Sequence, residues 1–127
     1  MFHPRAEERV REQAHALVRP MAEGGAVTAP AADTLCTVVN FSVAGARLSS
    51  HDRMQVGTRL SLHITFRGPA ARFQFTGTVT WVESAGRERF VWGVALDPLP
   101  EGERGTWTAF VAARLAAQRQ APPDFGP

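Results

Sequence analysis

Leu60-Ser61-Leu62-His63-Ile64-Thr65-Phe66 alternates an apolar residue with a polar one at every step, and Arg72-Phe73-Gln74-Phe75-Thr76-Gly77-Thr78-Val79-Thr80-Trp81-Val82 repeats the device downstream. A period of two is that of a strand with one face on a core and the other in water. In the second run Phe73, Phe75, Val79 and Trp81 take one face, and Arg72, Gln74, Thr76, Thr78 and Thr80 the other. Phe90, Trp92, Val94 and Leu96 give a further strand. Upstream, Thr34 to Phe41 sets Leu35, Thr37, Val39 and Phe41 against Cys36 and Val38, a strand buried mostly on both sides. Ala14 to Met21 is a first strand, ended by Pro20 and the Glu23-Gly24-Gly25 turn signal. Short strands broken by Gly-Pro, Ser-Ala-Gly and Asp-Pro turns predict a mainly β chain. Its antiparallel sheet, of about six strands, curls into a small β-barrel because closure removes the edges that would otherwise aggregate. Gly77 and Gly93, inside strands, are expected to allow the bends.

After Pro98 and Pro100 the period changes. Trp107, Phe110, Val111 and Leu115 recur three or four apart within residues 101–120, which predicts a C-terminal amphipathic α-helix. Glu101 and Glu103 near its start and Arg114 and Arg119 near its end suit the helix dipole. Residues 14–120 therefore read as one barrel-plus-helix domain. Before it, residues 1–13 interleave Arg5, Arg9 and Arg11 with Glu7, Glu8 and Glu12. That segment lacks the apolar stripe of a docked helix, so a flexible arginine-rich arm is expected, with proline-rich residues 121–127 as a flexible tail.

A length of 127 residues is about one domain, which excludes separate cofactor and substrate halves. With 44 % hydrophobic and 20 % charged residues the chain can pack a core, which argues against wholesale disorder. No apolar run approaches the ~18 residues of a membrane span. The charged start, Met1 to Arg9, does not read as a secretory signal, so a cytoplasmic location is expected. All 14 residues of the lysine-plus-arginine total are arginine, at a net charge of only +2. Arginine presents a planar fork suited to phosphate and to the guanine O6/N7 edge, but GC-rich codon usage produces the same composition. Only arginine positions therefore carry a functional argument.

Catalytic chemistry finds little support. His3, His15, His51 and His63 are scattered, with no metal-ligand spacing, so no metal is expected. Cys36, the single cysteine, sits on an apolar strand and reads as a small core residue. Ser42 lacks the Gly-x-Ser-x-Gly elbow of a hydrolase, and no Walker loop or dinucleotide fingerprint occurs. The chain is expected not to be an enzyme.

One constellation remains: Asn40-Phe41-Ser42-Val43-Ala44-Gly45 at the end of a strand, with Arg5-Ala6-Glu7-Glu8-Arg9 far upstream. Asn40 and Ser42 project to the same side, and Gly45 permits a positive φ or close backbone approach. The competing reading is a hairpin turn in which Asn and Ser bond their own backbone. The combination resembles the PilZ domain, the bacterial receptor module for cyclic di-GMP, whose signature is Arg-x-x-x-Arg followed by [Asp/Asn]-x-Ser-x-x-Gly. The resemblance extends, by pattern, over residues 5 to about 115, with a strand like Gly77 to Val82 before one like Trp92 to Leu96 and a closing helix. Arg5 and Arg9 fit the first motif. A second register puts Arg9 first and Gln13 second, a degenerate match, and Arg9 serves in both.

The resemblance implies cyclic di-GMP as ligand, with no cofactor. Two phosphates and two guanines call for cationic forks, which Arg5, Arg9 and Arg11 supply, and for acceptors. Asn40 can accept from a guanine edge, Ser42 can bond phosphate or base, and Gly45 leaves room for the ring. Arg47 points to the same side as Gly45. The family also implies a side chain stacked on guanine, for which Trp81 is the candidate against a core role. The expected mechanism is a switch in which the arginine arm orders over the nucleotide and signals to a separate effector protein of motility, pilus, exopolysaccharide or regulatory machinery. A degenerate domain acting as a protein-interaction adaptor is the alternative. Single-stranded nucleic-acid binding needs exposed stacking aromatics that the alternation places in the core, so no DNA partner is expected.

Overall fold

Leu60, Leu62 and Ile64 are buried while Arg59, His63 and Thr65 are exposed, so the alternation read in the sequence is an inside–outside partition. The computed structural model describes residues 8–21, 33–68 and 71–120. Six strands, β1 (Ala14–Pro20), β2 (Thr34–Phe41), β3 (Gly45–Ser50), β4 (Arg59–Thr65), β5 (Arg72–Ser84) and β6 (Phe90–Leu96), precede one helix, α1 (Glu101–Gln120). The strands close into a barrel in the order β1-β2-β3-β6-β5-β4, and every neighbouring pair is antiparallel. Residues 1–7, the Glu23-Gly24-Gly25 turn signal and the tail 121–127 lie outside the described residues.

The strand that the alternation does not mark is β3. Leu48 is its only large apolar residue. Its buried Ser49 and Ser50 are accommodated because Arg89 donates to Ser49 Oγ at 2.8 Å and Trp92 Nε1 to Ser50 Oγ at 3.1 Å. Buried hydroxyls are tolerated when they are bonded in this way. The two-sided burial expected of β2 does not hold: Cys36 and Val38 are buried, but Leu35 is 67 % exposed. Burial also pushes the Cys36 thiol up to about 11, with Asp52 adding to the effect, so the thiolate of a nucleophile is disfavoured.

Two β-bulges break the strict alternation. Between β2 and β3 the register shifts after Val38↔Leu48 to Asn40↔Arg47, which leaves Val39 over. Between β5 and β6 it shifts after Val79↔Val94 to Trp81↔Gly93, which leaves Thr80 over. One extra residue reverses the phase of all that follows. Val38 and Phe41 are therefore both buried, and the half-buried Trp81 leaves the core face that alternation assigned to it. The fully buried tryptophan is Trp92.

One face of α1 covers the end of the barrel where β2 and β4 finish and β5 begins. Trp107 and Val111 are buried, with Phe110 and Leu115 packed beside them. The ring centroids of Phe66 and Phe110 are 4.8 Å apart, those of Phe73 and Trp107 4.9 Å, and those of Phe41 and Phe66 4.7 Å. These are separations at which aromatic pairs add to plain burial. Trp107 Nε1 donates to the Val43 carbonyl at 2.9 Å, tying the helix to the β2–β3 turn.

Candidate functional site

Asn40, Arg47, Gly93 and Trp81 form one row across four adjacent strands, each directly opposite the next: Asn40↔Arg47, Arg47↔Gly93, Gly93↔Trp81. Both bulges are needed for it. In the uninterrupted phase Asn40 would follow Val38, and Trp81 would follow Val79, into the core. The Arg47 guanidinium carbon lies 5.2 Å from the Trp81 ring centroid, a cation–π distance. A groove of about 260 Å³ lies over the row, and its lining includes Arg9, Ser42, Gly45, Arg47, Thr80, Trp81 and Gly93.

Arg9 reaches the groove from before β1. Its Nε donates to Asn40 Oδ1 at 2.5 Å, which fixes the plane of the guanidinium. Asn40, expected to accept from a ligand, here accepts from the arginine. The backbone around Arg9 is held from two sides. Val10 N donates to Phe41 O at 2.7 Å, and Phe41 N donates back to Val10 O at 3.1 Å. Gln118 of α1 donates to Arg9 O at 3.1 Å and accepts from Arg11 N at 2.8 Å. Arg119 pairs with Glu8, and Arg114 with Glu12 at 2.5 Å, while Arg114 also donates to the Arg67 carbonyl at 2.6 Å. Residues 8–13 of the arm expected to be flexible thus dock on the barrel and helix. Their apolar anchor is a single residue, Val10, 2 % exposed, which a search for a stripe does not detect.

The Asn40–Gly45 stretch is a turn. Ser42 N donates to Gly45 O at 2.8 Å, and the Ser42 hydroxyl lies 3.5 Å from the same carbonyl. Ser42 is 1 % exposed, so its contribution to the groove wall comes from beneath the surface. Among the described glycines, positive φ occurs at Gly57, Gly68 and Gly86, so Gly45 serves close approach instead. A Cβ there would lie 3.2 Å from the Val94 carbonyl of β6. Gly77 and Gly93, read as bends, are likewise about space: a Cβ on Gly77 would lie 2.6 Å from the Ala95 carbonyl, and one on Gly93 would strike Trp81.

Of the site residues read from sequence, the structure brings Arg9, Asn40, Ser42, Gly45, Arg47 and Trp81 together. Arg11 is exposed, and its backbone N donates to Gln118. Arg5 lies outside the described residues. Gln13, the second position of the degenerate register, lines a different cleft, with Ala14, His15 and Thr37. Gly93, Thr80 and Gln118 were not legible as site residues. No helix is long and apolar enough to cross a membrane, and no three His, Cys, Asp or Glu gather as a metal site, both among the described residues.

The sequence profile described as the PilZ domain matches residues 3–113. No curated protein matches the chain. Among solved structures, it is similar to the Bacillus subtilis inhibitor of motility MotI/DgrA, with a TM-score of 0.68 and 16 % identity over 94 % of this chain and 55 % of that one. It is similar to the PilZ domain of Escherichia coli YcgR with c-di-GMP, with a TM-score of 0.64 and 10 % identity over 91 % and 97 % of the two chains. For K. pneumonia MrkH in its apo state the values are 0.67 and 12 %, over 95 % and 56 %. The chain thus spans about half the length of MotI and MrkH. The structural likenesses concern the fold, and the profile covers most of the chain: it belongs to the PilZ domain family.

Proposed function

We propose that the groove over the Asn40–Arg47–Gly93–Trp81 row binds cyclic di-GMP and that the chain is a receptor for this nucleotide. The observation that carries the reading is the row itself: a cation and an outward aromatic on one surface, with Arg9 fixed beside them by Asn40. Trp81 offers a face for a guanine once Arg47, now over the ring, turns to the ligand, and stacking on an aromatic is worth about 1–3 kcal/mol per base. Arg9 and Arg47 supply the planar forks that phosphate oxygens and the guanine O6/N7 edge require. Gly45 keeps the wall low, and Ser42 holds the turn. Arg9 lines the groove while Gln13 lines another cleft, which supports Arg5 and Arg9 as the motif pair.

The signalling step follows from what holds Arg9. Gln118 grips the backbone on both sides of Val10, and Arg119 pairs with Glu8, so a ligand that moves Arg9 acts on the end of α1. We assign the output to this joint surface of arm and helix, read by a separate effector protein. Calorimetric titration of cyclic di-GMP, against GTP and a short oligonucleotide, tests the reading. Selective micromolar or tighter binding is expected; no binding of cyclic di-GMP at high micromolar ligand would favour the constitutive adaptor, and preferential binding of the oligonucleotide a nucleic-acid barrel.

A further inference from the structure

Gly93 lies at the centre of the row, and what it clears is an indole. The three heavy atoms nearest to a Cβ built on Gly93 all belong to Trp81: Nε1 at 2.1 Å, Cε2 at 2.5 Å and Cδ1 at 2.9 Å. The five-membered ring of the indole therefore rests on the backbone of β6. Thr80, the bulged residue, reaches the Gly93 carbonyl with its hydroxyl at 3.3 Å, on the same pair of strands. Gly45 and Gly77 are different, because there the nearest obstacle is a backbone carbonyl of the neighbouring strand.

A methyl group at position 93 cannot coexist with this ring position, since non-bonded carbons keep about 3.5–4.0 Å apart. The indole would have to swing off β6 into the groove, toward the volume now shared with Arg47. A ring lying along the sheet presents a broad face, which a planar base takes once the Arg47 guanidinium now over it moves aside, whereas a ring pushed up offers an edge and fills the space. We propose that Gly93 helps to build the nucleotide site: by having no side chain it seats Trp81 as a stacking platform for a purine. It acts through Trp81 and is a positioning residue. This inference rests on the reading of the groove as a cyclic di-GMP site.

The test is a double-mutant cycle on the full chain, with Gly93→Ala, Trp81→Ala and the double variant, measuring cyclic di-GMP affinity, melting temperature and the change in indole emission on binding. Leu60→Ala, which removes core volume on β4, serves as the destabilised control and should bind as the wild type does below its melting temperature. Gly93→Ala and Trp81→Ala should each weaken binding about tenfold or more, the loss of one stacked base. The double variant should bind no more weakly than Trp81→Ala alone. The melting temperature lost in Gly93→Ala should return when Trp81 is also removed, because the clash has gone. The comparison of the double variant with Trp81→Ala stands even where Gly93→Ala does not fold. Wild-type affinity and an unchanged emission response in Gly93→Ala would overturn the inference, as would a double variant weaker than Trp81→Ala. Failure of the wild type to bind would overturn the proposed function, while the melting cycle would still report whether position 93 carries the ring.

Discussion

Arg9 and Asn40, separated by 31 residues, meet in a hydrogen bond from Nε to Oδ1 at 2.5 Å. The bond joins the arginine motif to the Asn-x-Ser-x-x-Gly motif within the chain itself, before any ligand is considered. Asn40 can take this role because the bulge at Val39 turns it away from the core. In the proposed site, its effect on a ligand would be exerted largely through the orientation of Arg9.

The first expected outcome is non-additivity between these two. Arg9→Ala should weaken cyclic di-GMP binding by about ten- to hundredfold, the cost of a lost charge-assisted bond. Asn40→Ala should weaken it less, and hardly at all in an Arg9→Ala background, because residues in one hydrogen-bond network couple. Titration calorimetry on the three variants measures this. Equal losses from Asn40→Ala in both backgrounds would mean that Asn40 touches the ligand on its own account.

The motif register is separable by a second pair of substitutions. Arg5→Ala should weaken binding about tenfold or more, as expected for a charge-assisted contact, whereas Gln13→Ala should leave affinity unchanged, since Gln13 lines another cleft. The reverse pattern would establish the degenerate register.

The docked arm makes a dynamic prediction. The Val10 amide donates to Phe41 O at 2.7 Å and Val10 is buried, so this amide should be protected from hydrogen exchange without nucleotide. Gln118→Ala, which removes the two bonds from α1 to the arm backbone, should lower that protection while leaving the β4–β5 ladder unchanged. Fast exchange at Val10 in the free protein would mean that the arm is not docked in solution.

Much of the barrel was legible because Leu60, Leu62 and Ile64 keep strict alternation, and the helix because Trp107 and Val111 recur on one face. The phase of Asn40 and Trp81 was not. Counting by two cannot see a bulge, and neither Val39 nor Thr80 differs in kind from its neighbours. β3 escaped because a strand with Ala46 and Ser50 facing inward, and Ser49 buried on its other face, carries too little apolar contrast. The Gln118 clamp on the Arg9 backbone joins positions 109 apart through a backbone carbonyl, for which side-chain patterns carry no signal. The single anchor Val10 has the same difficulty, since one apolar residue makes no period.

Away from the groove, Asp97 gives the fold a testable pH dependence. Arg59 forks onto its two carboxylate oxygens at 3.0 and 2.5 Å, and Thr76 donates to it at 2.6 Å. The bond from Arg59 holds the carboxyl below the ordinary carboxylate range, against a smaller opposing effect of burial. A depressed folded value means that the stabilisation is fully present above the ordinary carboxylate pKa and is lost as pH falls through the lowered one. Asp97→Asn should therefore melt below the wild type near neutrality, and the two curves should converge in strong acid. Both side chains are partly exposed, so the gap should be modest. A gap that persists or widens in strong acid would remove Asp97 ionisation as its cause.

The groove over the four-strand row is tested most directly by nuclear magnetic resonance mapping of cyclic di-GMP onto the labelled protein. The chain has three tryptophans, and their indole signals separate the alternatives. Trp92 Nε1 is bonded to Ser50 and Trp107 Nε1 to Val43, both within the fold, whereas Trp81 lines the groove. The largest shifts are expected at the Trp81 indole, the Gly93 amide and Arg9 Nε, with the Trp92 indole unmoved. Shifts centred on the outer face of β1 and β4, or a Trp81 indole that stays in place while the nucleotide binds, would contradict it.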